Sequence, residues 1–148
     1  MDRFIKLENL FIDQSRKYAI PMLRISLAIV YIWFGMLKIF NVSPVADLIK
    51  STYPTYPEPL FLFVLGVWEV VIGLGLLFKI FLKFALILFW LQMGGIFLGL
   101  FLASNLYFTN ENPLLLSTNG EFVIKNIVFI AASLIIVGHE LKGKKPKK

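Results

Sequence analysis

The chain has 148 residues, 58% of them hydrophobic and 16% aromatic, with a mean hydropathy of +0.79. A soluble domain is about 45–50% apolar, so this chain carries more apolar surface than one small core can bury. Lysine and arginine give it a net charge of +6. It contains no cysteine and a single histidine, His139. This excludes disulfides, thiol redox chemistry, iron–sulfur clusters, and His-paired haem or His-rich metal sites.

Four segments are long and apolar enough to cross a bilayer, which takes roughly 20 helical residues. They are residues 19–40, 60–78, 80–104 and 122–138. Pro21 is expected in the first helical turn of the first span, where proline is tolerated. Residues 1–18 are mixed and charged and lack the pattern of a cleavable signal peptide. We therefore expect an N-terminal segment (1–18), a transmembrane domain (19–138) and a basic tail (139–148).

Basic residues collect on one side of the predicted spans, while the opposite loops contain Lys50 beside several acidic residues. The positive-inside rule then predicts that both termini are cytoplasmic. The lysine-rich tail is interpreted as an anchor on an anionic leaflet rather than a nucleic-acid site. The predicted fold is an all-α membrane protein, a four-transmembrane-helix bundle in the cell (inner) membrane. The basic residues on the predicted cytoplasmic side are Arg3, Lys6, Arg16, Lys17, Lys79, Lys83, Lys142, Lys144, Lys145, Lys147 and Lys148.

The two predicted outer loops carry structure of their own. Ser43 and Pro44 suit the N-cap and first residue of a short amphipathic helix at the membrane interface. The proline-rich stretch 53–59 favours extended backbone. The loop 105–121 contains apolar residues, including Leu114–Leu116. It is expected either to fold back over the mouth of the bundle or to meet a partner.

Polar residues at membrane depth are the candidates for function. Arg24, Tyr31 and Lys38 share one face of the first span. Snorkelling of Lys38 to the interface is an equal alternative to an interior role. Glu69 lies about nine residues from either end of the second span, so it must be protonated, paired or beside an internal wet cavity. Arg24 is its expected partner.

The third and fourth spans each add polar groups. Gln92 shares a stripe with Gly95 and Gly99, a small-residue spacing that indicates helix contact. Lys125 and Asn126 are expected just below the outer surface, with Glu121 neutralising the lysine. Four polar stripes in lipid are best satisfied by facing one another, which predicts a polar interior for the bundle. The candidate binding residues are Arg24, Tyr31, Lys38, Glu69, Gln92, Lys125 and Asn126.

Several stretches together resemble the DoxX-like family of small membrane proteins. In the first span and the helix after it these are Arg24-Ile25-Ser26-Leu27, Trp33-Phe34-Gly35-Met36-Leu37-Lys38 and Ser43-Pro44-Val45-Ala46-Asp47-Leu48. In the later spans they are Glu69-Val70-Val71-Ile72-Gly73-Leu74 and Gly120-Glu121-Phe122-Val123-Ile124-Lys125-Asn126. The resemblance covers nearly the whole chain and implies a four-helix membrane protein. Some members are subunits of thiosulfate:quinone oxidoreductase and others belong to oxidative-stress complexes, but the family supplies no secure catalytic residues.

Three functions are compatible with these features. The first is an auxiliary membrane subunit that binds quinone or lipid and works with a redox partner protein, with no haem, iron–sulfur cluster or metal of its own. The second is a structural membrane anchor for a partner protein. The third is a small proton- or ion-coupled carrier that uses Glu69. Enzymatic activity of the isolated chain is not expected, because it contains no redox centre or activated nucleophile.

Overall fold

The structure, a computed structural model, describes residues 2–57, 59–79 and 81–141. Its helices are α1 (Asp2–Ile39), α2 (Ala46–Thr52), α3 (Leu60–Phe78), α4 (Leu82–Leu102), α5 (Ser104–Tyr107), α6 (Thr118–Ile124) and α7 (Asn126–Glu140), with a 3₁₀ turn at Thr109–Glu111. Within the described residues, four helical segments are long and apolar enough to cross a membrane: α1, α3, α4 and the α6–α7 pair. The prediction of an all-α chain with four membrane-compatible helices is confirmed.

Helix α1 begins far earlier than the predicted first span. It has 38 residues, about 57 Å at 1.5 Å per residue, so the boundary expected at residues 18 and 19 is no break in secondary structure. Pro21 lies inside the helix, not in its first turn. Every side chain from Arg3 to Ala19 is exposed. The first half of α1 therefore extends past the bundle as an exposed helix.

Helices α1 and α3 pack backbone to backbone. A Cβ built on Gly35 would lie 2.6 Å from the carbonyl oxygen of Gly66, and one built on Gly73 would lie 2.8 Å from the carbonyl oxygen of Ala28. Only glycine allows two backbones to approach this closely. The glycines on the Glu69 face of α3 therefore admit α1 as a close neighbour.

The two ends of the bundle differ in packing. Toward the chain termini, side chains from α3, α4 and α7 fill the interior: Ile72, Leu76, Phe89 and Ile136 are each at most 1% exposed. At the other end the bundle is covered by residues 43–57 and 103–117, which we call the cap. The interior is thus filled by side chains on the terminal side, whereas a cavity lies beneath the cap.

The second predicted outer loop, 105–121, folds back over the bundle, which is one of the two arrangements expected for it. Phe108 and Leu116 form an isolated antiparallel bridge. Tyr107, 3% exposed, shares a hydrogen bond of 2.7 Å with Thr52 of α2. Helix α2 starts at Ala46, with Val45 as its N-cap and no side-chain capping bond. The predicted start at Ser43 and Pro44 is therefore wrong by two residues, about half a turn.

The fourth predicted span consists of two helices, α6 and α7, which meet at Lys125. Ser117 caps α6 by accepting a hydrogen bond of 3.2 Å from the backbone N–H of Gly120. The span thus begins inside the predicted outer loop. Three features of the sequence lie outside the described residues: the tail lysines at 142, 144, 145, 147 and 148, Glu58 of the proline-rich stretch, and Ile80, the predicted start of the third span.

Candidate functional site: a buried ion pair beneath a capped cavity

A buried ion pair joins the last turn of α1 to the middle of α3. The Lys38 ammonium donates to Glu69 Oε2 at 2.7 Å, and the two residues are 6% and 7% exposed. Gln92 of α4 donates through Nε2 to Glu69 Oε1, also at 2.7 Å. Both carboxylate oxygens are therefore occupied by donors from two different helices. The interior role expected for Lys38 holds, and snorkelling to the interface does not.

Arg24 is not the partner of Glu69, which corrects the sequence interpretation. Its guanidinium donates to the carbonyl oxygens of Leu76 and Leu77, the latter at 2.9 Å, and its Nε lies 3.6 Å from Glu140 Oε1. The last carbonyls of a helix have no partner inside that helix, and those of α3 lie level with Arg24. These free carbonyl oxygens therefore accept the hydrogen bonds of the Arg24 guanidinium. The cation that contacts Glu69 is Lys38, at the other end of the predicted first span.

A cavity of about 570 Å³ lies between the ion pair and the cap. Its size is within the range of pockets that hold small molecules. Lys38, Glu69 and Gln92 line its polar end, whereas the rest of the wall is predominantly apolar. Several lining residues are exposed at the bundle surface, among them Leu91 and Leu98 of α4. The apolar residues that line the cavity are Val30, Phe34, Leu37, Pro44, Val45, Leu48, Ile49, Phe61, Leu65, Trp68, Leu91, Met93, Ile96, Leu98, Phe122, Val123 and Phe129.

The remaining candidate residues are placed differently from one another. Tyr31 is buried and lines the cavity, with its ring tilted against Phe89 at a centroid distance of 5.6 Å. Asn126 also lines the cavity, but its amide donates to the carbonyl of Val123 at 3.0 Å in the preceding turn. Lys125 is exposed at the α6–α7 junction and takes no part in the site. The structure therefore places five of the seven candidates in the wall of one cavity: Tyr31, Lys38, Glu69, Gln92 and Asn126.

The cap contributes hydroxyl groups whose hydrogen bonds are already made. Tyr53 donates to the carbonyl of Gly95 at 2.6 Å, and Thr52 donates to the carbonyl of Leu48 at 2.8 Å as well as meeting Tyr107. Burial, and after it the neighbouring tyrosines, raises the pKa of Tyr53, so its hydroxyl stays protonated as a donor. The bond of Tyr53 ties the cap to α4, and the bond between Thr52 and Tyr107 ties the two segments of the cap to each other.

Sequence reasoning overlooked the ion cluster around Glu140 and predicted the contacts of Gly95 and Gly99 only in part. Glu140 joins Arg24 to Lys79, whose ammonium lies 2.7 Å from Glu140 Oε2, so an ion cluster closes the terminal end of the bundle. The signal available in the sequence was the position of Glu140, an acidic residue just after the fourth predicted span, on the side where the basic residues collect. The helix contact predicted from the spacing of Gly95 and Gly99 is found only at Gly99, where a Cβ would lie 3.0 Å from Thr52 of α2 and 3.2 Å from Tyr107 of α5; no described atom lies within 4 Å of a Cβ built on Gly95.

The described residues offer no group of three or more histidine, aspartate or glutamate side chains that could hold a metal ion. What the site can do chemically is bind: it presents a neutralised charge pair and hydrogen-bond donors at the end of an apolar chamber. Comparison with known proteins gives no match: no family model, curated protein or solved structure is significantly similar to this chain. The resemblance to DoxX-like proteins stays a prediction.

Proposed function

We propose that this chain is a DoxX-like protein of the cell membrane that binds an amphipathic molecule, a quinone or a lipid, in the cavity beneath the cap. The observation that carries the proposal is the combination of size and chemistry: about 570 Å³ of mostly apolar space that ends at Lys38, Glu69 and Gln92. An apolar pocket with a few convergent polar groups is the usual form of a small-molecule site.

In this proposal the chain acts as an auxiliary subunit of a membrane redox or stress-response system. A sequence without cysteine and with one histidine supplies no electron carrier of its own, so electrons come from a partner protein. Both termini face the cytoplasm, which puts the cap at the outer surface. Lys79 and Lys83 follow α3 at the terminal end of the bundle, in keeping with that orientation.

Thermal stability in detergent, measured with a panel of quinones and lipids, tests the binding function. A ligand at a hundred times its Kd adds about 2.7 kcal/mol to the stability of the folded state, which raises the Tm by several degrees. Val30→Trp places a large side chain in the cavity and is expected to abolish the shift. Val71→Trp, on an exposed position of α3 outside the cavity, is the matched control and should keep it. Equal shifts in both variants, or none in the wild type, would exclude the cavity as the site.

A structural anchor is the second candidate function, and one observation favours it. The Lys38–Glu69 pair joins α1 and α3, which already pack backbone to backbone at Gly35 and Gly66. In that case the ion pair serves helix packing alone, no ligand raises the Tm of the wild type, and Val30→Trp leaves the recruitment of the partner protein unchanged. A carrier function has less support, since fully buried side chains fill the bundle between the cavity and the terminal end.

A further inference from the structure

We infer that the cavity selects an uncharged head group that bears a carbonyl oxygen, and that it rejects both anionic and cationic amphipaths. This inference rests on the proposed binding function and specifies the ligand. It follows from how charges and hydrogen bonds are distributed at the polar end of the cavity.

The ion pair leaves no net charge for a ligand to neutralise. Lys38 and Glu69 lie 2.7 Å apart and are both more than nine-tenths buried. A carboxylate or phosphate that approaches Lys38 also approaches Glu69, and a quaternary ammonium that approaches Glu69 also approaches Lys38. An ionic head group in this position loses its hydration and meets a like charge at nearly the same distance as the opposite one. An uncharged head group suffers neither effect.

Both donors and an acceptor at this end of the cavity can still make hydrogen bonds: the donors belong to Lys38 and Tyr31, and the acceptor is Gln92 Oε1, which is buried without a partner among the residues that the structure describes. An ammonium has three N–H groups, and Lys38 gives one to Glu69. The Tyr31 hydroxyl lines the cavity and makes no hydrogen bond to a described residue. Both Glu69 oxygens already accept, from Lys38 and Gln92. A ligand with a carbonyl oxygen therefore meets donors at this end, and Gln92 Oε1 remains to accept a hydrogen bond from water or from a hydroxyl of the same ligand.

Three of the cap hydroxyls that line the cavity do not compete for the head group. The hydroxyls of Thr52, Tyr53 and Tyr107 are committed to bonds within the protein. The carbonyl therefore lies against Lys38 and Tyr31, and the hydrocarbon part of the ligand lies along the apolar wall. A quinone ring and an acyl ester share this chemistry, and the experiment below separates them.

Trp68 is a built-in reporter, because it lines the cavity while Trp33 and Trp90 are exposed on the bundle surface. The double variant Trp33→Phe/Trp90→Phe keeps Trp68 alone. The double variant Trp68→Phe/Trp90→Phe keeps Trp33 alone and measures how much probe enters the detergent micelle. Both are titrated at pH 9 with four fluorescence quenchers: decylbenzoquinone, methyl dibromostearate, dibromostearate and the matching dibromoalkyl trimethylammonium.

The expected result is saturable quenching of Trp68 by the quinone, the methyl ester or both, with the two ionic probes no more effective on Trp68 than on Trp33. Which neutral probe saturates identifies the source of the carbonyl. Ionic probes that quench Trp68 as well as the neutral ones would overturn the selectivity and leave the binding function standing. If no probe prefers Trp68 over Trp33, the proposed function itself fails.

Tyr31→Phe tests the donor directly, since it removes one hydroxyl and leaves no buried charge behind. Loss of one hydrogen bond of ordinary strength should raise the half-saturating concentration of the neutral probe roughly fivefold. An unchanged titration would remove Tyr31 from the proposed head-group contacts. The variant's Tm, expected within a few degrees of the wild type, verifies that it is folded.

Discussion

Removing one member of the Lys38–Glu69 pair should destabilise the protein far more than removing both. At 2.7 Å and an effective dielectric constant of about 20, the attraction is about 6 kcal/mol before desolvation. Breaking a buried pair from one side typically costs about 3–5 kcal/mol, because the remaining charge is left uncompensated. We expect this loss for Lys38→Met and for Glu69→Gln alike.

The double variant Lys38→Met/Glu69→Gln removes both charges while its new amide still offers Gln92 an oxygen to bond. Its stability should lie within about 1–2 kcal/mol of the wild type, since a neutral replacement of a buried pair is often tolerated. The assay is thermal unfolding in one detergent at one pH, in which each single variant should lose on the order of 10 °C. Lys125→Met, an exposed lysine at the α6–α7 junction, is the control and should shift the Tm by little.

Two results would refute this reasoning. If either single variant loses no more stability than Lys125→Met, the pair makes no net contribution in the folded protein. If the double variant loses the sum of the two single losses, the side chains do not interact, because energetic coupling between contacting residues appears as non-additivity.

Three further perturbations test the packing around the site. Gly35→Ala should lower the Tm by several degrees, because its Cβ would lie 2.6 Å from the backbone of α3. Gly94→Ala, whose Cβ would have no described atom within 4 Å, is the control and should not lower the Tm; equal effects of the two variants would contradict close helix packing. Arg24→Met leaves two carbonyls of α3 without their donor and should lower the stability of the folded protein by about 1–3 kcal/mol. A decrease in the Tm measures this loss, and an unchanged Tm would show that water replaces the guanidinium. Tyr107→Phe removes the bond to Thr52 and should cost about 0.5–1.5 kcal/mol and speed hydrogen exchange in α5; unchanged exchange would mean that apolar packing alone holds the cap.

The sequence predicted the spans well because the physical signal is local. Twenty apolar residues in a row indicate a helix in lipid whatever surrounds them, and α3 has the predicted bounds. The first span was less predictable. Residues 1–18 are polar enough to suggest a separate segment, yet residues 2–18 belong to α1, because backbone hydrogen bonds propagate through any residue that tolerates helical geometry.

The candidate site was predicted in its membership more than in its pairing. Depth alone identified Glu69 as a residue that needs a partner, since its short side chain cannot reach water from mid-membrane. Depth did not decide whether Arg24 or Lys38 is the partner of Glu69, because the two cations lie along α1 on opposite sides of the level of Glu69. The free carbonyls at the end of α3 decided the matter by binding the guanidinium.

By itself, therefore, the sequence determined an all-helical chain, four apolar helices and the need of a buried carboxylate for a partner, because each depends on composition or on positions within one helix. The tertiary structure decided which cation meets Glu69, that Gln92 occupies its second oxygen, that Lys125 remains outside the site, and that a cavity lies beneath the cap. These features depend on the relative position of α1, α3 and α4. Close contacts such as that of Gly35 with Gly66 fix this position, and they form only when the helices pack.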